Sequence, residues 1–125
     1  MAVVKPFRGL RPPRSIASDL ACLPYDVMNT EEARKMAEGR ESSLLHITRS
    51  EIDLPPGMDC HSEEVYQKSV ENFALWQKRG WLVQDEEPHF YIYAQTMKRR
   101  TQYGIVGCAA VDDYLNGVIL KHELT

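Results

Sequence analysis

The sequence predicts a small α+β domain, with a mixed, mainly antiparallel sheet, one long helix and one short one. Three observations carry this reading. Between Ser62 and Arg79, apolar residues recur at three- and four-residue steps inside well-marked helix ends. The stretch from Asn29 to Gly39 has the signature of a shorter capped helix. The segments His89 to Thr96 and Tyr103 to Val111 are rich in β-formers and flank a polar run, as the arms of an antiparallel hairpin do.

Taken in order, the segment from Met1 to Leu23 reads as an extended beginning. Val3, Val4 and Phe7 precede a Pro12-Pro13 pair, and proline fixes its own φ and pushes the residue before it toward β geometry. Pro24-Tyr25-Asp26-Val27 reads as a turn. Asn29 can then cap a short helix while Glu32 closes a capping box, and Gly39 supplies the stop. Ser43 to Thr48 is expected to be a strand and Leu54 to Gly57 a loop. In the long helix Ser62 is the expected N-cap, with Glu63 and Glu64 in the first turn, where negative charge meets the positive end of the helix dipole. Its core face is expected from Val65, Tyr66, Ser69, Val70, Phe73, Ala74 and Gln77, with Trp76 beside them. Lys78, Arg79 and Gly80 mark its end.

After the acidic turn Asp85 to Pro88 comes the strongest strand, with Phe90 and Ile92 expected in the core. Lys98 to Gln102 would connect it to the second arm by a loop longer than two residues. Gly104 and Gly107 point to a bulge or a close backbone approach.

Composition bounds the function. The 125 residues, 43% hydrophobic and 26% charged, are enough to bury roughly two thirds of the unfolded surface, so a single domain over 1–125 is the economical division. A net charge of −3 speaks against a dedicated nucleic-acid binder, which needs a surplus of Lys and Arg. The charge is uneven, however: Lys5, Arg8, Arg11 and Arg14 come before any acid, whereas Glu31 to Glu71 is acid-rich. Cys22, Cys60 and Cys108 are odd in number and far apart, so neither a disulfide framework nor a four-thiolate zinc site is indicated, and a reducing cytoplasm fits. The first residues lack the apolar core of a signal peptide, and no apolar run approaches the ~18 residues that span a bilayer.

Several clusters could carry chemistry. Val118-Ile119-Leu120 delivers Lys121, His122, Glu123 and Thr125 as a polar group, and the sequence stops there. A natural terminus usually frays into solvent, so the chain is expected to be the front part of something longer. Glu123 could serve as a general base or magnesium ligand, with neighbours able to hold phosphate oxygens; the competing reading is a solvated strand end. The zinc-protease pattern His-Glu-x-x-His fails, because its second His would fall at position 126 and the preceding residues read as strand. Tyr25 and Asp26 could stand at the lip of a pocket, although a lone Asp in a turn more often bonds its own backbone. Asp59-Cys60-His61 offers metal-ligand types at a contiguous spacing that one backbone cannot easily present, and no metal site is expected. Lys98-Arg99-Arg100 reads as a solvated hairpin tip.

Phe7-Arg8-Gly9-Leu10-Arg11, Pro24-Tyr25-Asp26-Val27, Trp81 to Pro88 leading into Phe90-Tyr91-Ile92-Tyr93, Tyr103-Gly104-Ile105-Val106-Gly107, and Asp113-Tyr114 through His122-Glu123-Leu124-Thr125 occur in that order. Together they resemble the N-terminal part of a widespread prokaryotic family of unknown function, often labelled ParB-like, whose members are typically about three times longer. The resemblance covers essentially the whole chain. It implies a fold of the ParB/sulfiredoxin kind, whose superfamily includes CTP-hydrolysing partition proteins and a nucleotide-dependent kinase acting on free serine. By that analogy Glu123 is a base or metal ligand, His122 and Thr125 are phosphate contacts, and Arg8, Arg11, Tyr25 and Asp26 complete a ligand site. The implied ligand is a nucleotide (ATP, ADP or CTP) with magnesium. The partition proteins' Gly-Glu-Arg-Arg is absent, and the basic residues expected after the Glu would lie beyond Thr125. The alternative is a non-catalytic regulatory or protein-interaction domain; direct DNA binding is disfavoured by the acidic balance.

Overall fold

The computed structural model describes residues 1–120. The chain divides into two compact units: Met1–Gly9 with the chain from Gln84 onward, and Leu10–Val83, which is inserted between them in sequence. The elements are β1 (Val4–Lys5), β2 (Leu10–Arg11), α1 (Ala17–Leu20), α2 (Thr30–Ala37), α3 (Leu45–Thr48), α4 (Glu63–Lys78), β3 (Val83–Gln84), β4 (Tyr91–Met97), β5 (Arg100–Val106), β6 (Cys108–Ala109) and α5 (Val111–Leu115), with 3-10 turns at Tyr25–Val27 and Ser50–Asp53. This is the α+β class expected, with α4 as the long helix and α2 as the short one. No helix among the described residues is long and apolar enough to cross a membrane.

The Leu10–Val83 unit is built around its helices. The Asn29 side chain accepts from the Glu32 N–H at 2.9 Å while the Glu32 carboxylate accepts from the Asn29 N–H, also at 2.9 Å, so the predicted capping box is present. Helix α4 stops as its sequence indicates. Gly80 takes φ +72°, the Gly80 N–H reaches the Gln77 carbonyl and the Trp81 N–H reaches Trp76, which is the hydrogen-bond pair of a Schellman close.

The helical start of α4 departs from expectation. Ser62 stands at the N-cap position, but its hydroxyl makes no capping bond and is buried without a partner. The buried stripe of α4 is Val65, Asn72 and Trp76, with Ser69 half-buried, whereas Tyr66, Val70, Phe73, Ala74 and Gln77 face solvent. The helix is thus rotated by about one residue, roughly 100°, from the face that apolar spacing selects. The polar members of the stripe are satisfied where they lie: Ser69 donates to the Ile47 carbonyl at 2.8 Å, and the Asn72 amide to the His46 carbonyl at 2.6 Å.

Two further segments differ from expectation. The early chain is extended only as far as the proline pair, after which Ala17–Leu20 turns helical. The Arg40 guanidinium caps that turn by donating to the carbonyls of Ser18, Asp19 and Ala21. The segment expected as a strand at Ser43–Thr48 is helix α3. A short apolar run reads equally well at period 2 or 3.6, and here two cores decide between them. Leu45 enters a cluster with Ala33, Ala37 and Ile52, while Leu44 and Ile47 pack against Leu20, Trp76 and Leu82. A helical turn can serve both clusters at once.

The other unit is built on strands. β4 and β5 pair antiparallel from Tyr91↔Val106 to Met97↔Arg100. Lys98 and Arg99 close the hairpin as a two-residue turn with φ +47° and +68°, so the connection is tighter than the sequence suggested. Both residues occupy the left-handed region that a primed hairpin turn requires and that non-glycine residues enter at a cost. β1 pairs antiparallel with β6, and Phe7 bridges His89. Gly107 lies in the close approach expected of it, since a Cβ there would meet the Phe90 ring at 3.0 Å and the Lys5 carbonyl at 3.3 Å; Gly104 has open space and simply takes its place in the ladder. Phe90 and Ile92 are exposed, contrary to their expected core role.

Candidate functional site

In the Leu10–Val83 unit the Pro24–Val27 motif is a 3-10 turn, closed by the Val27 N–H on the Pro24 carbonyl at 3.3 Å. Tyr25 (62% exposed) and Asp26 both reach solvent. The turn is held from beneath by Arg49, which donates through both of its terminal guanidinium nitrogens. Nη1 donates to the Tyr25 carbonyl at 3.2 Å and Nη2 to the Thr30 hydroxyl at 3.1 Å. Nε lies 2.8 Å from Glu51 Oε1, close but off-axis for a hydrogen bond. Glu51 is buried and Arg49 largely so, with side chains 5% and 16% exposed. Thr30 also donates to Glu51 at 3.3 Å, so the carboxylate sits beside the first residue of α2, where the helix dipole favours negative charge.

Next to this network is a cleft of about 830 Å³ between α2 and the loop after the second 3-10 turn, with Arg34, Lys35, His46, Asp53 and Met58 among its walls. His46 and Asp53 form a dyad there, with Nδ1 2.8 Å from the carboxylate, and Asn72 donates to the other carboxylate oxygen at 2.8 Å. The second ring nitrogen of His46 faces the Arg40 carbonyl at 3.2 Å. Both nitrogens are therefore engaged within the fold, which makes the dyad a brace rather than a proton-transfer centre. Arg34 is likewise committed, to the carbonyls of Glu51 and Leu54.

In the other unit Arg8 donates through Nε to the Asp85 carbonyl at 2.7 Å. That bond engages Nε of an otherwise exposed residue, and the bidentate grip of an arginine on an oxyanion can use its two terminal nitrogens. Gly9 explains the rest of the motif. Its N–H donates to the Tyr91 hydroxyl at 2.6 Å, the hydroxyl donates to Asp85 at 2.5 Å, and a Cβ at position 9 would lie 2.5 Å from that same oxygen.

Of the residues picked out in the sequence, Arg11, Tyr25 and Asp26 belong to the Leu10–Val83 unit and Arg8 to the other. Lys121, His122, Glu123 and Thr125 lie outside the described residues. In Asp59-Cys60-His61 the Asp59 carboxylate accepts from the His61 N–H at 2.9 Å, and the His61 ring faces the Tyr66 hydroxyl. Among the described residues no cluster of three or more His, Cys, Asp or Glu could hold a metal ion.

A family model described as "Protein of unknown function (DUF1015)" matches residues 4–125. The chain belongs to that family. No curated protein and no solved structure matches it. The DUF1015 match spans both units and carries no activity with it. Within this DUF1015 chain, sequence reasoning missed Arg49, Glu51, His46 and Asn72. The alternation Arg49-Ser50-Glu51 marks an ion pair in reach, but nothing in it distinguishes a buried pair from a solvated one.

Proposed function

We propose that this DUF1015 chain is a nucleotide-binding, phosphotransferase-like module of the ParB-like kind, in which the Tyr25–Asp26 turn handles part of the ligand. The observation that carries the reading is the Arg49–Glu51 pair beneath that turn. Withdrawing the Glu51 carboxylate and most of Arg49 from water is a costly way to hold a mere connection, so a fold that commits such a pair to one exposed turn argues that the turn must be rigid. Phosphoryl transfer depends mainly on positioning, and a turn whose backbone is tied down can present the Tyr25 phenol and the Asp26 carboxylate to the base and the metal-bound phosphates of a nucleotide. Arg8, exposed and tied at Nε, supports an oxyanion contact. Arg11 is, through the resemblance, a further ligand contact. Through the resemblance, Glu123 acts as base or magnesium ligand and His122 and Thr125 touch phosphate.

The test is titration calorimetry of the chain with ATP, ADP and CTP in the presence of magnesium. At least one nucleotide should release heat, and Asp26→Ala and Arg8→Ala should each weaken binding about tenfold, a loss typical of one charge-assisted contact. Glu123→Ala should weaken it as well. Silence with all three nucleotides would reject the reading and favour the non-catalytic interaction domain.

A further inference from the structure

The β4–β5 hairpin is the least protected surface of the molecule. All but one of its strand residues are exposed, including Ile92 at 79%, Tyr103 at 75% and Ile105 at 80%. Ile92 stands opposite Ile105 and Ala94 opposite Tyr103, so one face carries an apolar strip. Among the described residues each strand has a single neighbour, which leaves the outer edge of each without a strand partner. The two edges are not alike. β5 (Arg100-Thr101-Gln102-Tyr103-Gly104-Ile105-Val106) begins with a charge and contains a glycine, devices that blunt an edge. β4 (Tyr91-Ile92-Tyr93-Ala94-Gln95-Thr96-Met97) has no charge, proline or glycine along seven residues. A two-stranded ladder of this kind is marginal in water unless something extends it.

We infer that β4 pairs antiparallel with β4 of a second copy of this chain, making a continuous four-stranded sheet. The distribution of charge selects this occupant. The hairpin tip is basic (Lys98, Arg99, Arg100) and the segment leading into β4 is acidic (Glu86, Glu87). In a two-fold antiparallel pairing centred on Ala94, Tyr91 stands opposite Met97 of the other copy, and each basic tip comes alongside the acidic approach of its partner. A parallel pairing would set tip against tip. The same symmetry joins the apolar strip of Ile92 and Ala94 to its counterpart across the axis, because residues opposite one another in a ladder share a face.

The experiment is analytical ultracentrifugation of the chain over roughly a hundredfold range of concentration, wide enough to cross a monomer–dimer midpoint. A concentration-dependent dimer is expected. Ala94→Lys, at an exposed position, places like charges opposite one another on the axis and should weaken the dimer about tenfold or more. Reversal of Glu86 and Glu87 to Lys should weaken it as well, and added salt should weaken the unmodified dimer. In a background lacking Cys60 and Cys108, Ala94→Cys should give a disulfide-linked dimer on oxidation. A monomer at every concentration would overturn the inference, and so would a dimer that Ala94→Lys and Ala94→Cys leave unaffected and uncrosslinked.

Discussion

The two units are held together by different physics. Every buried side chain among the described residues lies in Leu10–Val83: the clusters around Leu45 and Trp76, and the polar groups Ser43, Ser50, Glu51 and Asn72 threaded between them. Among its described residues the other unit has no such core. It depends on backbone ladders and on the Phe7–Gly9 strap, whose main chain is bonded to Asp85, His89 and the Tyr91 hydroxyl. Burial is non-directional and scales with area, whereas a strap of hydrogen bonds depends on a few atoms being in place. Substitutions that remove volume should therefore damage one unit, and substitutions that move one atom should damage the other.

The largest effect expected is from Trp76→Ala, which removes a ring 2% exposed and packed edge-on against Trp81 at 5.8 Å. It should cost about 3–5 kcal/mol, while Ile105→Ala on the open hairpin should cost under about 0.5 kcal/mol. Urea titration measures both; equal losses would abolish the contrast. Because both tryptophans lie in Leu10–Val83, their fluorescence reports that unit separately.

Next comes Arg49→Met. It strands the Glu51 carboxylate and frees the Tyr25 carbonyl, so a loss near the lower end of about 3–5 kcal/mol is expected, given the pair's partial exposure. Replacing both partners, Arg49→Met with Glu51→Leu, should recover much of that loss. Recovery of stability without recovery of nucleotide binding would separate the turn's positioning from the fold. Gly9→Ala should cost about 1–3 kcal/mol through the lost bond to Tyr91, and it should speed amide exchange in β4 without altering tryptophan fluorescence. In the opposite direction, Lys98→Asn with Arg99→Gly relieves two left-handed residues and should stabilise the hairpin by about 0.5–1 kcal/mol, read as slower exchange across β4 and β5. The smallest effect is chemical. Burial pushes the Cys22 thiol up, partly offset by the nearby Arg40 charge, so less thiolate is present at neutral pH. Cys22 should be the last of the three cysteines to alkylate and should catch up as pH rises.

What the sequence made legible was the local grammar. The Asn29–Glu32 box, the Gly80 stop and the two arms of the hairpin depend on neighbours a few residues away, and each stands where its residues announce it. Segments whose fate rests on distant partners were not legible. Leu44, Leu45 and Ile47 became helical because two separate cores accept them. The α4 stripe turned from Tyr66 and Val70 to Val65 and Asn72 because carbonyls at His46 and Ile47 needed donors. For the candidate site, Tyr25 and Asp26 could be chosen from their place in a turn before a capped helix, but not the Arg49–Glu51 pair that holds them, since burial of a charge pair leaves no local mark.

β2, at the start of Leu10–Val83, pairs with β3, which begins at its last residue, so the two ends of that insertion come together. A segment whose ends meet can be excised, joined end to start or transplanted into another host loop without stretching either partner. The helical half of this DUF1015 chain is in that sense a cassette, and its own buried clusters travel with it.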